Sequence, residues 1–225
     1  MTKAKCAFLA AAMAVSACAS QGPVDNPVFR TGTWFSYLNG DDIRAACTPG
    51  APARYRFVYN ADYEKQVRTY DVSPVQGGEG AVLEERVFAS GLNLNDFRLT
   101  DPLAMARGQQ AVVRLAPTDL AALDTALGNS GFDRPAPEGK TLVSNSFYWV
   151  VEACRGGRFH FNAYTPEDRG YGDLPFIAQL ALLDRTGVAF NGPRSAADVK
   201  KVAPAYISET NAFFELKVGP NGLKL

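Results

Sequence analysis

The chain has 225 residues, and its 23 Lys and Arg side chains equal its 23 Asp and Glu side chains in number, which gives a formal net charge of zero. Affinity for nucleic acids comes mainly from neutralised phosphates, so this balance disfavours nucleic-acid binding. The length suits one domain, or two small ones, with enough apolar residues for a substantial core.

The first 17 residues have the pattern of a secretory signal peptide. Lys3 and Lys5 precede the apolar run CAFLAAAMAVSA, which extends from Cys6 to Ala17. This run is too short to span a bilayer, because a spanning helix needs about 20 apolar residues. We expect residues 1–17 to be removed, which leaves 21 basic residues against 23 acidic ones and a formal charge of −2.

Cys18 follows directly after the apolar run. The four residues VSAC that end at Cys18 resemble the lipobox of bacterial lipoproteins, in which a diacylglycerol group is attached to the cysteine. The resemblance implies a membrane anchor at Cys18, and the absence of Asp at the following position, Ala19, implies the periplasmic face of the outer membrane. Cleavage after Ala19 is the alternative, since Ala17 and Ala19 fit the small-x-small rule of ordinary secretion. It would give a soluble periplasmic protein.

Residues 18–32 are rich in Gly, Pro and Asn and show no apolar period after the cysteine, which predicts a flexible tether. Residues 33–225 are expected to form a single globular domain. Within it, WFSYL (34–38) has strand composition. The segment NGDDIRAAC follows and predicts a short helical turn capped by Asn39 or Asp41.

The next segments predict strands. In YRFVY (55–59), the side chains of Tyr55, Phe57 and Tyr59 would share one face of a strand. The glycines of SPVQGGEG (73–80) predict a loop. Further strands are predicted for EKQVRTYDV (64–72), AVLEERVFAS (81–90) and LNLNDFRL (92–99).

Helix signals are clearer in the second half. APTDLAALDTALGNSGF (116–132) predicts a helix, which Thr118 would cap and either Gly128 or Gly131 would end. The segment CRGG (154–157) predicts a tight hairpin. Strands are predicted for AVVRL (111–115), NSFYWVVEAC (145–154), GRFHFNAY (157–164) and NAFFELKV (211–218).

A second helix is predicted for LPFIAQLALLDRTG (174–187). Asp173 is placed to cap this helix, and Pro175 suits its first turn. Gly187 is the predicted stop signal. Strands of mixed spacing with two good helices predict an α+β fold, in which both helices pack on a largely antiparallel sheet.

Two segments of the domain echo each other. The residues that follow Cys47-Thr48 read PGAPARYRFVYNA, and the residues that follow Cys154 read RGGRFHFNA. Both contain a glycine, then an Arg-aromatic-basic-Phe pattern, then Asn-Ala. An old duplication, with halves of about 33–105 and 106–225, is one interpretation, and two strands with similar demands are the other.

The order strand, helix, strand, strand, helix between Ala111 and Asp184 resembles the layout of emfourin-type bacterial proteinase inhibitors. These are small domains with a leucine-rich helix and an aromatic strand pair. The resemblance covers about a third of the chain and includes no shared motif, so it assigns no role to any residue. What it implies is a module that binds proteins without turning over a substrate.

Four cysteines occur in the chain. Cys6 belongs to the leader and Cys18 is the expected lipid anchor, which leaves Cys47 and Cys154. An even pair in an oxidising compartment predicts a disulfide, with two separate buried thiols as the alternative. Neither Cys47 nor Cys154 lies in a C-x-x-C motif, which disfavours a redox catalyst or a zinc site.

The single histidine, His160, is the weak candidate for catalysis. In the predicted strand GRFHFNAY, His160 would share a face with Arg158, Asn162 and Tyr164. Such a polar face could bind a ligand or hold a general base. The alternative is a strand face covered by a loop, with its polar groups satisfied.

Other signals of chemistry are missing from the sequence. It has no G-x-S-x-G, S-x-x-K, H-E-x-x-H or P-loop motif. The acidic pairs Asp41-Asp42 and Glu167-Asp168 lack the spacing of a calcium loop. We therefore expect no cofactor and no metal.

These patterns predict a lipid-anchored envelope protein with a non-catalytic binding or accessory module for a protein or an envelope polymer. One alternative is a periplasmic hydrolase of unfamiliar type that uses His160. Another is a structural component of an envelope complex. The sequence favours a non-enzyme over an enzyme, because no nucleophile is signposted.

Overall fold

The computed structural model describes residues 34–63, 65–89, 108–193 and 214–224. The leader, Cys18, the tether and the strand predicted at 92–99 lie outside the described residues. The predicted duplication and the division into one domain stay predictions.

The described chain contains four helices and nine strands. Helix α1 covers residues 34–38, and it is followed by α2 (Asp41–Ala46), α3 (Pro117–Asn129) and α4 (Pro175–Leu183). The strands are β1 (Arg54–Ala61), β2 (Gln66–Pro74), β3 (Ala81–Ala89), β4 (Gln109–Leu115), β5 (Thr141–Val143), β6 (Phe147–Arg155), β7 (Arg158–Tyr164), β8 (Glu215–Gly219) and β9 (Gly222–Lys224).

Six strands form one antiparallel sheet in the order β4-β3-β2-β1-β6-β7. Strands β5, β8 and β9 form a small second sheet. The predicted α+β fold with a largely antiparallel sheet is therefore confirmed. Most neighbours in the large sheet are also consecutive in the chain. The exception is the pairing of β1 with β6.

One face of the large sheet, the helical face, carries α3 and α4. Tyr55, Phe57 and Tyr59 of β1 point to this side, as their alternation predicts. Leu123 of α3 and Phe176 of α4 are fully buried against them. Both main helices thus pack on one face, as expected from the sequence.

The opposite face, the capped face, lies under α1, α2 and the small sheet. Val58 of β1 and Tyr148 and Val150 of β6 pack there against Leu38 and Val218. Strand β6 is buried along nearly its whole length, because it has an apolar cover on both sides. Phe147 and Trp149 of this strand lie in the core of the helical face, and Tyr148 lies in the core of the capped face.

The strand predicted at WFSYL is wrong, because residues 34–38 are helical. Asn39 donates its backbone N–H to the Phe35 carbonyl at 2.8 Å, as in a helical turn. Leu38 is fully buried on the capped face, while Trp34 and Tyr37 are partly buried there. Aromatic composition favours strands, but this contact with the core decides in favour of a helix.

Three predicted capping residues are also wrong. Gly40, with φ of 65°, is the N-cap of α2, in place of Asn39 or Asp41. Ala116 is the N-cap of α3, and its N–H donates to the Asp119 carboxylate at 3.0 Å, which takes over the role predicted for Thr118.

Helix α4 also begins and ends differently from its prediction. Leu174, in place of Asp173, is its N-cap, although Pro175 lies in the first turn as predicted. The helix ends at Leu183, before Gly187, because the Asp184 carboxylate accepts the Thr186 N–H at 2.8 Å and turns the chain. For α3, by contrast, one of the two predicted stop residues is right. Gly131 follows the end of the helix and has φ of 77°.

Cys47 and Cys154 form a disulfide, with their Cα atoms 5.5 Å apart. The predicted bridge is therefore confirmed. It joins the C-terminal end of α2 to β6, whose Cys154 is almost fully buried. The bond closes a loop across 107 residues and ties the α1–α2 pair to the sheet.

Asn221, in the turn between β8 and β9, joins the small sheet to the edge of β7. Its Oδ1 accepts the Phe161 N–H at 2.9 Å, and its Nδ2 donates to the Phe159 carbonyl at 3.3 Å. The side chain of Asn221 thus pairs with β7 as a neighbouring strand would. Arg44 of α2 donates to the Asn221 carbonyl at 2.7 Å, so the same turn also contacts the helix pair.

Candidate functional site

The predicted polar face of β7 is largely covered. Arg158 is exposed at the start of the strand, but Asn162 and Tyr164 are buried. The chain that follows α3, around Phe132 and Arg134, lies over this part of the strand. The four predicted residues share the helical face, and only Arg158 is exposed on it.

His160 is held by backbone groups of this covering segment. Its Nε2 lies 2.6 Å from the Phe132 carbonyl and 3.1 Å from the Arg134 carbonyl. Carbonyls only accept, so Nε2 must carry the proton and donate. The imidazole also packs edge-on against the Phe132 ring, with centroids 4.8 Å apart. These contacts give His160 a structural role, in line with the covered-face interpretation.

A charged cluster that sequence reasoning missed lies on the capped face. Its members, which we call the Arg56 cluster, come from α1, α2 and three adjacent strands. They are Tyr37, Asp42, Arg56, Asp71 and Glu152. Register explains the grouping, because Arg56 pairs with Asp71 on β2 and with Glu152 on β6.

Arg56 organises this cluster and is only 4% exposed. Its Nε donates to Asp71 at 2.7 Å, and its two Nη atoms donate to the two carboxylate oxygens of Asp42 at 2.7 and 3.1 Å. Nη1 also reaches the Tyr37 carbonyl at 3.1 Å, and the guanidinium lies 3.7 Å from the Tyr37 ring centroid. Arg56 therefore fastens both α1 and α2 to the sheet.

Glu152 is the unusual member of the cluster. It is fully buried, and neither of its carboxyl oxygens has a hydrogen-bond partner. Gly40, in the turn between α1 and α2, lies directly over it, since a Cβ on Gly40 would come within 2.7 Å of the Glu152 Cγ. An ionised carboxylate without donors is costly in such surroundings.

The pKa values in the cluster diverge accordingly. Burial raises the pKa of Glu152 well above its ordinary value; Arg56 opposes this shift, while Asp71 and Asp42 add to it. Burial is the largest influence on Asp42 and acts to raise its pKa, but the hydrogen bonds to Arg56 and the positive charges of Arg56 and Arg54 together lower that pKa. These opposite shifts favour the protonated form for Glu152 and the ionised form for Asp42.

Arg68, on the helical face, is a second buried guanidinium and is fully inaccessible to solvent. It donates to Asp184 at 2.7 Å, to the Gln66 side chain at 2.9 Å and to the Val188 carbonyl. Tyr70 donates to the same Asp184 at 2.7 Å. These contacts, which we call the Arg68 cluster, hold the segment after α4 against the sheet.

The outer β3–β4 surface is the open strand face of the large sheet. It consists of Glu84 and Arg86 on β3 and Val112 and Arg114 on β4, all exposed. Val112 is 71% exposed, which is unusual for a valine at the centre of a strand. An open polar strand face thus exists, but at the other end of the sheet from the one predicted at β7.

No group of three or more His, Cys, Asp or Glu side chains within the described ranges is placed to hold a metal ion. In the same part of the chain, every helix is too short or too polar to cross a membrane. No protein-family model matches this chain, and no curated protein matches it either.

Proposed function

We propose that this chain is a lipid-anchored envelope protein whose domain is a non-catalytic binding or accessory module for a protein or an envelope polymer. The observation that carries the proposal is the Cys47–Cys154 disulfide. Disulfides persist in oxidising compartments such as the bacterial periplasm, which agrees with the leader and with Cys18 at its end.

The outer β3–β4 surface supports the binding role. It combines two exposed arginines, Arg86 and Arg114, with Glu84 and the apolar Val112 in its centre. Arg side chains beside apolar groups are enriched in protein interfaces. The contacts of His160 with two backbone carbonyls support a structural use of that residue over a hydrolytic one.

Photo-crosslinking in cells tests the binding role. A photo-reactive residue at Val112 should give one discrete adduct of higher mass in the full-length, membrane-bound protein. Leu182 of α4 is the matched control site, because it is 70% exposed while Val112 is 71% exposed. The adduct at Val112 should disappear when Arg86 and Arg114 are both changed to Glu.

Equal adducts at both sites, or none at either, would contradict the binding module. His160→Ala should leave the adduct at Val112 unchanged. If that variant folded normally but lost a hydrolytic activity of the purified protein, the hydrolase alternative would replace the proposal. A structural component would instead give crosslinks that persist in the double Glu variant, because a permanent assembly buries more surface than this patch.

A further inference from the structure

The α1–α2 pair rests on a carboxyl group that has no partner. Gly40 is pressed against the side chain of Glu152, and both oxygens of that carboxyl lack a hydrogen bond. Buried carboxyl groups in folded proteins normally have donors, so this one calls for an explanation. The protonated form is the one that fits such a site, because it carries no charge to be solvated.

The charged groups around Glu152 come from two strands and from α2. Arg56 faces it from β1, Asp71 from β2 and Asp42 from α2. The ring of Tyr37 on α1 lies 3.7 Å from the Arg56 guanidinium, and Phe159 of β7 contributes an apolar ring beside Gly40.

The formal charges of this neighbourhood balance without Glu152. Asp42 pairs with both Arg54 and Arg56, and Asp71 pairs with Arg56, which gives two cations and two anions. Ionised Glu152 would therefore add one uncompensated negative charge at a site that water does not reach.

We propose that Glu152 is a pH-sensitive switch for the seating of α1 and the Gly40 turn on the sheet. When the carboxyl holds its proton, the turn packs on it and the capped face is closed. When the O–H bond breaks, the proton passes to water and the remaining carboxylate must be solvated. Water can reach it only if the Gly40 turn lifts.

The disulfide determines which part can move. Cys47 stays bonded to Cys154, which lies two residues after Glu152 on β6. The C-terminal end of α2 is therefore held in place. The part free to lift is residues 34–40, which hold Leu38 over Val58 and Val150. Opening would expose this apolar surface close to the predicted tether, where it could serve the binding role.

Hydrogen exchange followed by mass spectrometry tests this switch in the membrane-extracted, full-length protein. Protection factors, which correct for intrinsic exchange, should be measured for residues 34–46 and for α3 between about pH 5.5 and pH 8.5. Since the folded state binds the proton more tightly than the open state, protection of 34–46 should be highest at low pH. It should fall by about tenfold per pH unit until Glu152 ionises in the closed state, and then level off.

Glu152→Gln is the decisive variant, because it keeps the shape and removes the titration. Its protection at residues 34–46 should stay within about twofold across the same pH range. Glu84→Gln is the matched control, since Glu84 is an exposed carboxylate on β3 and should leave the fall in protection intact. The α3 region should show little change in all three proteins. A wild-type profile that matches that of Glu152→Gln, whether both fall or both stay flat, would overturn the proposal.

A second measurement uses the unchanged protein and so does not depend on how the variant folds. The ¹³C shift of the Glu152 carboxyl should report the protonated form at neutral pH. A titration near the ordinary glutamate pKa, about 4.3, would overturn the proposal. The pH switch does not depend on the crosslink at Val112. Failure of one test would therefore leave the other proposal standing.

Discussion

The two faces of the large sheet each bury one arginine, and the two arginines are satisfied in different ways. On the helical face, Arg68 is fully inaccessible and pairs with Asp184, which is itself 9% exposed. On the capped face, Arg56 pairs with Asp71 and Asp42, whose side chains are 25% and 51% exposed. The first arrangement is closed to water, while the second is open at its Asp42 end.

The extra carboxyl group beside each arginine shows the same contrast. Glu85, on the helical face, accepts the Arg185 N–H at 2.8 Å through one oxygen. Glu152, on the capped face, accepts no bond at either oxygen. Glu85 thus has one donor and leaves one buried oxygen without a partner, whereas Glu152 has no donor at either oxygen. The proposed switch therefore lies on the capped face, where the buried carboxyl group has the fewer donors.

The disulfide should make the largest single contribution on the capped face. Changing Cys47 and Cys154 together to Ala removes a crosslink over 107 residues, for which chain entropy predicts a loss of about 4–5 kcal/mol in unfolding free energy. Urea denaturation under oxidising conditions measures this loss. A change below about 1 kcal/mol would show that the α1–α2 pair is held by other contacts.

Arg68→Met should cost about 3–5 kcal/mol, because it leaves Asp184 buried without its cation. Arg56→Met should cost less, about 1–2 kcal/mol, because Asp42 and Asp71 can be hydrated where they stand. Chemical denaturation of both variants tests this order. An equal or larger loss for Arg56→Met would remove the contrast between the two faces.

Gly40→Ala should cost about 2 kcal/mol, of which about 1 kcal/mol comes from the backbone at φ of 65° and the rest from the contact with Glu152. Gly50→Ala is the control, since Gly50 has φ of 86° and no atom lies within 4 Å of the position that an added Cβ would occupy. Thermal unfolding of both variants separates the two causes. Equal losses would mean that Gly40 does not press on Glu152.

The pH dependence of unfolding compares the buried carboxyl groups of the two faces. The pKa values of Glu152 and Glu85 are both raised by burial, so both groups destabilise the folded state as pH rises above the ordinary glutamate pKa. Glu152→Gln should flatten this loss of stability more than Glu85→Gln, because Arg185 opposes the shift of Glu85. If denaturation curves between about pH 5 and pH 8 showed that Glu85→Gln flattens the loss more than Glu152→Gln, the pH dependence would come mainly from the carboxyl group on the helical face.

Much of the fold could be predicted from local patterns. Alternation in YRFVY placed Tyr55 and Val58 on opposite faces of β1, and the even cysteine pair gave the disulfide. The Gly156-Gly157 turn between β6 and β7 was also predicted, and both glycines have positive φ. In each of these cases the signal lies within a few residues or in a simple count.

The errors arose where a distant contact decided the outcome. Residues 34–38 form a helix because Leu38 reaches the core of the capped face, which composition does not reveal. Helix α4 stops early at Asp184, whose carboxylate accepts bonds both from the nearby Thr186 N–H and from Arg68, 116 residues away. Strand β9 was missed because its three residues depend on β8 for pairing.

The candidate sites divide in the same way. The predicted face of His160 follows from strand alternation, but its cover by the segment around Phe132 is a tertiary fact. The Arg56 cluster depends on the register of β1 with β2 and β6, and no sequence spacing encodes that register. A charged residue in the middle of a buried strand, such as Glu152 in FYWVVEAC, was the available signal.

Intact mass of the membrane-extracted protein, before and after reduction and beside a Cys18→Ala variant, tests the central claim most directly. A lipid-anchored, disulfide-closed module predicts a mature chain that begins at Cys18 with acyl mass, which the variant loses. Reduction should then add one pair of hydrogens, for the Cys47–Cys154 bond. A mature chain that begins near Ser20 without lipid, or one whose mass is unchanged by reduction, would contradict the account.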